Sequence, residues 1–377
     1  SLCVCVHLPG HRGTDDDTPP PLPSVCYEAS PQVVNRAFVY IKPHAAGVQL
    51  LPAFIRQFFE SKKIFRIVGE GQLSAKWAHD GFEKQYHKMY KISFLMIPSE
   101  HFLSMTEKET FFKKFSLTWD SAVEDVLVKN VPDTCSALSV DQTELCDIWM
   151  QCIEKGQMVK LNDSFYCGFI DFVPDMEPVF CINGFFMSMR AEYILYSTPM
   201  PYFLVEWSCE SSSSSSGGSG SGSGGGSDDK RRSHSSHNKQ RDKNEDYLSW
   251  KSFNKETIGN TNPLVAHSHS LRACINANWQ ALRLAGPLDM KDNGVHASSS
   301  AFAALAERTQ WLAAPTFSDP LGYALNILGV TPSLLNEWLL NPTIKGQPIF
   351  DHFKNLGCKQ SIAVAYKLLI CKSVCHT

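Results

Sequence analysis

The stretch Ser211 to Ser227 constrains the fold most, because it consists only of Ser and Gly. The charged run Asp228 to Asp246 follows it, with acidic and basic residues alternating. Neither composition buries enough apolar area to offset the entropy lost on folding, so residues from about 210 to 246 are expected to form a disordered, solvated linker. The ordered protein must therefore be assembled from the dense sequence on both sides of this linker.

The bulk composition is that of a globular protein. The 377 residues are 43% hydrophobic and 19% charged, which is normal for a globular core with polar additions. The formal net charge of −3 predicts neither a nucleic-acid partner nor attraction to an anionic membrane. The sequence holds no uninterrupted apolar run of about 18 residues, so a membrane span is not expected.

The start of the chain and its cysteines bear on processing and location. The chain begins Ser1-Leu2-Cys3 without an initiator Met, which indicates a fragment, a processed form or an imperfect gene model. The 13 Cys residues are an odd number and are scattered through apolar surroundings. This pattern favours reduced, buried thiols in a cytoplasmic protein over a disulfide framework.

Hydrophobic periodicity predicts alternating strands and helices before the linker. Residues 1–33 are Pro-rich and polar and are expected to be disordered. The elements predicted next are a strand at 36–43, a helix at 48–63, a strand at 64–69 and a helix at 75–90. An ordered insert at about 98–178 is predicted to be helical, with helices near 107–115, 119–128 and 141–155. A helix at 180–196 and a strand at 202–207 are predicted to complete this half.

After the linker the pattern is again that of an ordered protein. The predicted elements are a helix at 275–284, a short strand containing His296 and a helix at 301–312. A C-terminal extension at 313–377 is predicted to be helical, with helices at 320–328, 332–339 and 362–371 and Pro residues between them.

Two basic residues at strand ends are candidates for chemistry. His296 ends a short apolar strand just before a small, polar turn into a helix. Such a histidine is more often structural than catalytic, but here it is a candidate nucleophile that carries a phosphoryl group. Lys42 follows a largely apolar strand and precedes Pro43. A Lys at a strand end is usually a solvated edge residue, although a fixed ammonium there suits phosphate oxygens.

Three separate blocks, in this order, resemble the nucleoside diphosphate kinases. Phe38-Val39-Tyr40-Ile41-Lys42-Pro43-His44 is similar to the first-strand signature of that family. Gly259-Asn260-Thr261-Asn262-Pro263, followed by Ser270-Leu271-Arg272, is similar to its phosphate-binding loop. Asn293-Gly294-Val295-His296-Ala297-Ser298 resembles its active-site histidine motif. The blocks frame a kinase-like domain at 34–312.

The resemblance implies a role for each matching residue. His296 would be the nucleophile, with Lys42, Tyr86 and Glu307 as further catalytic residues and Glu307 as the group that orients the imidazole. The implied nucleotide-binding residues are Lys42, Phe94, Lys255, Thr261, Arg272 and Asn293. Phe94 would stack on the base, Thr261 and Arg272 would hold phosphate oxygens, and Asn293 would bond the ribose or its bridging oxygen.

The sequence departs from the family pattern at several places. Lys255 stands where a phosphate-binding Arg is expected, which keeps the charge but loses bidentate geometry. His44 stands where the family usually has Asp. About ten extra residues lie between Arg272 and Asn293, and the turn between His296 and the following helix is longer than usual, so Glu307 is the weakest of these assignments.

The fold class is α+β. The resemblance implies a ferredoxin-like antiparallel four-stranded sheet with helices packed on it, plus the helical insert and the helical tail. The implied reaction is ping-pong transfer of the γ-phosphate of ATP to a nucleoside diphosphate, with Mg²⁺ carried by the nucleotide phosphates. Phosphoryl transfer needs positioning and charge neutralisation more than covalent chemistry, and a neutral imidazole nitrogen can attack in line. His267 and His269 lack a third ligand, so a protein metal site is not predicted.

Two alternatives stay open. The inserts and the tail are of a size that usually serves interactions, which suits a non-catalytic cytoskeletal or flagellar scaffold with a protein partner. Because Lys255 stands where an Arg is expected, the second alternative is a nucleotide-binding module with slow or no transfer. The family usually forms hexamers or tetramers, so self-association is favoured, although large inserts could block those surfaces.

Overall fold

A computed structural model of the chain describes residues 33–162, 164–195, 198–209 and 248–374. The expected disordered linker and nearly all of the Pro-rich N-terminus lie outside these residues.

Strands and helices alternate along the described chain. The strands are β1 (Val34–Ile41), β2 (Arg66–Leu73), β3 (Val128–Lys129), β4 (Met158–Asn162), β5 (Phe165–Ile170), β6 (Val179–Ile182), β7 (Met200–Ser208), β8 (Val295–Ala297), β9 (Thr343–Ile344) and β10 (Gln347–Pro348). The helices before the linker are α1 (Pro43–Ala46), α2 (Leu51–Glu60), α3 (Ala75–Tyr90), α4 (Met105–Phe115), α5 (Trp119–Glu124), α6 (Val131–Leu138), α7 (Gln142–Glu154) and α8 (Phe186–Leu195). The helices after it are α9 (Trp250–Ser252), α10 (Leu271–Ala277), α11 (Trp279–Leu282), α12 (Ala301–Leu312), α13 (Pro320–Ile327), α14 (Pro332–Leu339), α15 (Ile349–His352) and α16 (Cys358–Val374).

The central sheet joins sequence from both sides of the linker. Its order is β2-β7-β1-β8, and each neighbouring pair is antiparallel. β1 is almost wholly buried because its aromatic and β-branched side chains serve both faces. On one face, Tyr40 lies 4.9 Å from Trp311 of α12 between ring centroids. On the other face, Trp207 packs 4.5 Å from Phe253. Antiparallel sheets covered by helices fit the predicted α+β class.

The insert is not purely helical, which corrects the prediction. It contains a second four-stranded sheet, of order β3-β6-β5-β4, beside helices α4 to α7. β3 pairs in parallel with β6, about fifty residues further along the chain, and the other pairs are antiparallel. Apolar runs this short do not distinguish a strand from a buried helix, because only their distant partners decide it.

Three predicted helices differ from the structure in type or extent. The helix at 180–196 begins instead as strand β6, and α8 starts only at Phe186. The helix at 119–128 ends at Glu124, and Val126 has a positive φ of 57°. The helix at 275–284 is two helices, α10 and α11, which meet at Asn278 with φ −111° and ψ 17°. In each case a local backbone break interrupts a continuous apolar pattern.

The C-terminal extension packs on the central sheet and belongs to the same hydrophobic core. Phe302 of α12 stacks on Phe353 with ring centroids 4.3 Å apart. The Cys358 N–H donates to Asn35 Oδ1 of β1 at 2.8 Å. The extension is helical as predicted, apart from the β9–β10 hairpin. Within the described ranges, no helix has both the length and the apolar character that crossing a membrane requires.

Candidate active site

His296 lies in the middle of β8, the edge strand beside β1. It is paired with Tyr40 in the ladder, and the Tyr40 ring stacks on the imidazole at 4.6 Å with an interplanar angle of 18°. The Tyr40 hydroxyl lies 3.1 Å from that of Tyr193. Burial raises the pKa of Tyr40, with the neighbouring Tyr193 adding to the shift. The phenol therefore stays neutral and serves as a rigid platform for the imidazole.

Glu307 of α12 is the hydrogen-bond partner of His296. His296 Nε2 lies 2.9 Å from Glu307 Oε1, and the two side chains are 16% and 8% exposed. Ser298 Oγ donates to the other carboxylate oxygen at 2.6 Å and accepts from the Phe38 N–H at 3.0 Å. The Ser300 side chain accepts from Ala303 N at 3.0 Å and caps α12. The turn from β8 to α12 is thus fixed at both ends, and Glu307 reaches the imidazole.

The same carboxylate receives a bond from α3. Gln85 Nε2 donates to Glu307 Oε1 at 3.3 Å, and Gln85 Oε1 accepts from the Trp311 indole N–H at 2.7 Å. Sequence reasoning missed Gln85, Ser298 and Trp311 as site residues. Two signals were available: Ser298 belongs to the histidine motif, and Trp311 lies four residues after Glu307, on the same face of a helix.

Lys42 lies at the end of β1 beside the segment that precedes His296. Its N–H donates to Gly294 O at 3.0 Å, and its ammonium lies 3.4 Å from Lys291 O. Burial lowers the pKa of Lys42 to about 8, and the positive charge of Arg272 contributes to this shift. Burial disfavours the charged form of the amine, and a positively charged group in such surroundings is typical of a site that binds an anion.

Arg272 connects the loop at 259 to strand β8. Its Nη1 donates to Gly259 O at 2.7 Å and its Nη2 donates to Val295 O at 2.9 Å. Burial lowers the pKa of Arg272 to about 10. Gly259 has φ +97°, and a Cβ there would lie 2.4 Å from Ser270 Oγ, so only glycine fits this close approach.

Asn293 Oδ1 and Arg272 Nε are among the buried polar atoms that have no hydrogen-bond partner within the residues that the structure describes. The Asn293 side chain is 2% exposed, and its Nδ2 donates to Met290 O at 3.1 Å. Buried polar groups usually find a partner. A hydroxyl could satisfy the oxygen, and an anionic oxygen could satisfy the guanidinium N–H.

Tyr86 lies near Glu307, whereas the ring contacts of Phe94 are with Tyr90 and Phe186. The Tyr86 ring packs 4.6 Å from Phe82. Burial raises its pKa, and the charge of Glu307 adds to that shift. Phe94 lies in the π-helical turn Lys91–Leu95 and stacks on Tyr90 at 5.4 Å. Phe94 is only half-buried, so part of its ring is accessible.

Lys255 and Thr261 are exposed side chains on either side of Gly259. Lys255 lies in the π-helical segment Phe253–Ile258, and Thr261 lies in the loop that follows Gly259. The Gly259 carbonyl between them accepts from Arg272 Nη1. The structure thus brings His296, Glu307, Lys42, Arg272 and Asn293 together around residues 293–296, while Lys255 and Thr261 point into solvent.

His44 stands beside two carboxylates. Potential ligand atoms of His44, Glu192 and Asp292 lie within 4.8 Å of one another. However, Lys291 Nζ pairs with Glu192 at 3.0 Å, and the Gly294 N–H donates to His44 Nε2 at 3.2 Å. The neutral imidazole then carries its proton on Nδ1, which faces Asp292 Oδ1 at 3.5 Å. The ring offers the carboxylates an N–H and no lone pair, which disfavours a metal here.

Comparisons with known proteins give little further information. No protein-family model matches the sequence, and no curated protein matches it. The crystal structure of an NDP kinase from Pyrobaculum aerophilum is similar at 12% sequence identity and a TM-score of 0.29, covering 74% of this chain and 95% of that one. Similarity at this level assigns neither a fold nor a function.

Proposed function

We propose that the chain is a phosphotransferase of the nucleoside diphosphate kinase type, which moves the γ-phosphate of ATP to a nucleoside diphosphate through a phosphohistidine on His296. The observation that carries the proposal is the 2.9 Å contact between His296 Nε2 and the buried Glu307 carboxylate. A carboxylate accepts hydrogen bonds, so Nε2 holds the imidazole proton and Nδ1 keeps the lone pair. Nδ1 is therefore the proposed nucleophile.

The reaction consists of two displacements at phosphorus. In the first, the Nδ1 lone pair attacks the γ-phosphorus, the P–N bond forms, and the bond to the β–γ bridging oxygen breaks to release ADP. In the second, a terminal phosphate oxygen of the acceptor diphosphate attacks, and the P–N bond breaks. Glu307 stabilises the imidazolium that the phosphorylated ring resembles. MgATP is the substrate, and its metal partly neutralises the phosphate charge.

The cationic side of the site suits these phosphates. Lys42 would contact the transferred phosphoryl group. Arg272 Nε, which has no partner in the described part of the chain, would donate to a phosphate oxygen. Asn293 Oδ1 would accept from a ribose hydroxyl. Tyr86 would lie near the reacting groups and Phe94 against the base. Lys255 and Thr261, whose side chains are exposed, would reach the phosphates only if the segment 255–261 moves towards the ligand.

We also propose that the central sheet with its helices is ferredoxin-like. The support is its strand order, in which the second, third, first and fourth strands along the chain lie side by side and are antiparallel throughout. The second sheet and the C-terminal extension would then be additions to that fold.

The decisive experiment is uptake of label from [γ-³²P]ATP, followed by treatment with acid and with alkali. The wild type is expected to acquire an acid-labile, alkali-stable phosphate and to pass it to added diphosphate. His296→Ala should lose both reactions, whereas His87→Ala, an exposed histidine on α3, should keep them. Full exchange by His296→Ala would show the proposal to be wrong.

A second candidate is a nucleotide-binding module or scaffold with slow or no transfer. It is favoured by Arg272, because both outer nitrogens of its guanidinium are already bonded to backbone carbonyls. Each bond uses one of the two N–H groups on its nitrogen, so the backbone carbonyls fix the guanidinium and compete with a phosphate for it. This candidate predicts measurable nucleotide affinity by calorimetry together with no phosphohistidine in the labelling experiment.

A further inference from the structure

Gln85 occupies a position between two residues of α12. Its carbonyl oxygen accepts from Trp311, and its amide nitrogen donates to Glu307. Gln85 lies on α3, so this is a bond between helices and not within one. The His296 imidazole bonds the same carboxylate oxygen, Glu307 Oε1.

The orientation of the Gln85 amide follows from chemistry. An indole N–H can only donate, so the Gln85 carbonyl must face Trp311 and the amide N–H must face Glu307. The indole itself cannot shift easily, since the Trp311 side chain is fully buried. It packs so tightly on Gly81 of α3 that a Cβ there would lie 2.4 Å from the ring. Because the Trp311 indole cannot move easily, its N–H fixes the orientation of the Gln85 amide.

The carboxylate then faces three donors. Glu307 Oε1 receives N–H groups from Gln85 and His296, and Oε2 receives the Ser298 hydroxyl. All three contacts of this carboxylate are with donor groups, so Glu307 acts as the acceptor for His296 Nε2. Nε2 then carries the imidazole proton, and the tautomer with a free Nδ1 lone pair is selected.

We propose that Gln85 is a positioning residue, which Trp311 orients so that it aligns Glu307 and thereby selects the reactive tautomer of His296. The inference rests on the proposed phosphohistidine mechanism for its kinetic consequence. Its structural part, the control of the tautomer, stands on the hydrogen bonds alone.

Two substitutions separate positioning from packing. Gln85→Met keeps the length of the side chain but removes both bonds. Gln85→Glu keeps an acceptor for Trp311, but an ionised carboxylate would face Glu307 without a donor. When protonated, the new carboxyl reproduces the amide, because its carbonyl accepts and its O–H donates. Lys84→Met, at an exposed position one residue earlier on α3, is the matched control.

The measurement is the single-turnover rate of His296 phosphorylation by MgATP between pH 5.5 and 8.5. A misaligned catalytic group typically lowers the rate by about 10- to 100-fold. We expect such a loss for Gln85→Met, at a ratio to wild type that does not change with pH. Gln85→Glu should show a similar loss at high pH and recover towards wild type as the pH falls. A purely structural role would give both variants a deficit independent of pH. A Gln85→Met rate within twofold of wild type, with Lys84→Met as reference, would overturn the inference.

Nitrogen-15 NMR of histidine-labelled protein separates this inference from the proposed function. The His296 resonances, identified by their loss in His296→Ala, should show Nε2 protonated in wild type and a mixture of tautomers in Gln85→Met. If wild type takes up no phosphate, the proposed function fails, and the tautomer measurement still decides the role of Gln85. If the tautomer is the same in both proteins, Gln85 does not position this site.

Discussion

The ion pair between Arg308 and Asp319 makes a quantitative prediction about how the C-terminal extension supports α12. Arg308, the residue after Glu307, pairs with Asp319 through its Nη2, and the side chains are only 5% and 4% exposed. Asp319 Oδ1 also accepts from Leu321 N at 2.9 Å and caps α13. Arg308 Nη1 donates to Arg36 O of β1 at 2.7 Å. One carboxylate thus joins the extension to the helix that carries Glu307.

Asp319→Ala should be severely destabilising. Leaving one partner of a buried ion pair uncompensated costs about 3–5 kcal/mol, and losing a helix N-cap costs about 1 kcal/mol. The expected loss of about 4–6 kcal/mol is comparable with the total stability of many domains, about 5–15 kcal/mol. Urea unfolding followed by circular dichroism measures it as a shift in midpoint. Asp319→Asn keeps a cap acceptor, so it should be less destabilised by about 1 kcal/mol.

The double variant Arg308→Met/Asp319→Ala completes the cycle. Because it removes the buried charge together with its partner, its loss should be clearly smaller than the sum of the two single losses. Additive losses, or an Asp319→Ala midpoint close to that of wild type, would refute the claim that this pair fixes the extension to α12.

Three further predictions follow from local geometry. Transfer activity should fall as the pH rises through about 8, where the half-buried Lys42 ammonium, whose pKa is lowered to about 8, loses its proton. Lys42→Arg should move this decline in kcat/KM to higher pH. Burial lowers the pKa of His44 to about 4, so the unfolded chain binds more protons than the folded one below about pH 6.5. The free energy of unfolding should therefore fall by about 2 kcal/mol between pH 7 and pH 5. In His44→Asn, the urea midpoint should lose this part of its dependence on pH. Gly81→Ala, which would stabilise an ordinary helix, should instead cost about 1–3 kcal/mol, because its Cβ would meet the Trp311 ring; an increase in melting temperature would contradict this packing.

The helices that were predicted correctly from the sequence are those whose bounds are set by neighbouring residues, such as a capping residue. The helix at 75–90 has the predicted bounds because Ser74 caps it, accepting from Trp77 N at 3.4 Å. The helix at 301–312 is likewise found as predicted. The second sheet was not predicted because β3 is a strand only through its pairing with β6, which lies far along the chain.

In the candidate site, too, local sequence patterns identify some residues, whereas the roles of others depend on contacts between distant parts of the chain. Lys42 directly follows strand β1 and His296 lies within the short strand β8, and hydrophobic periodicity detects both strands. The longer turn between His296 and the following helix made Glu307 the weakest assignment. Glu307 nevertheless reaches His296, and Ser298 of that turn is bonded both to β1 and to Glu307. The role of Gln85 depends on the packing of α3 against α12, which local patterns do not encode.

The way the second sheet joins the central sheet explains how a large insert can leave the candidate site intact. The insert leaves after the turn that holds Ser93 and returns at Asn183, and Asn183 Nδ2 donates to Ser93 Oγ at 3.0 Å. Ser93 in turn donates to Met89 O of α3 at 2.6 Å. The bond between Asn183 and Ser93 holds the two ends of the insert together, and the entropy of closing a loop grows only slowly with its length. The partners of Gln85 and Tyr86 are Glu307, Trp311, Phe82 and Tyr193, which all lie outside the insert. Asn183→Ala should accordingly loosen the insert more than the site, with hydrogen exchange rising in β5 and β6 before it rises in α3.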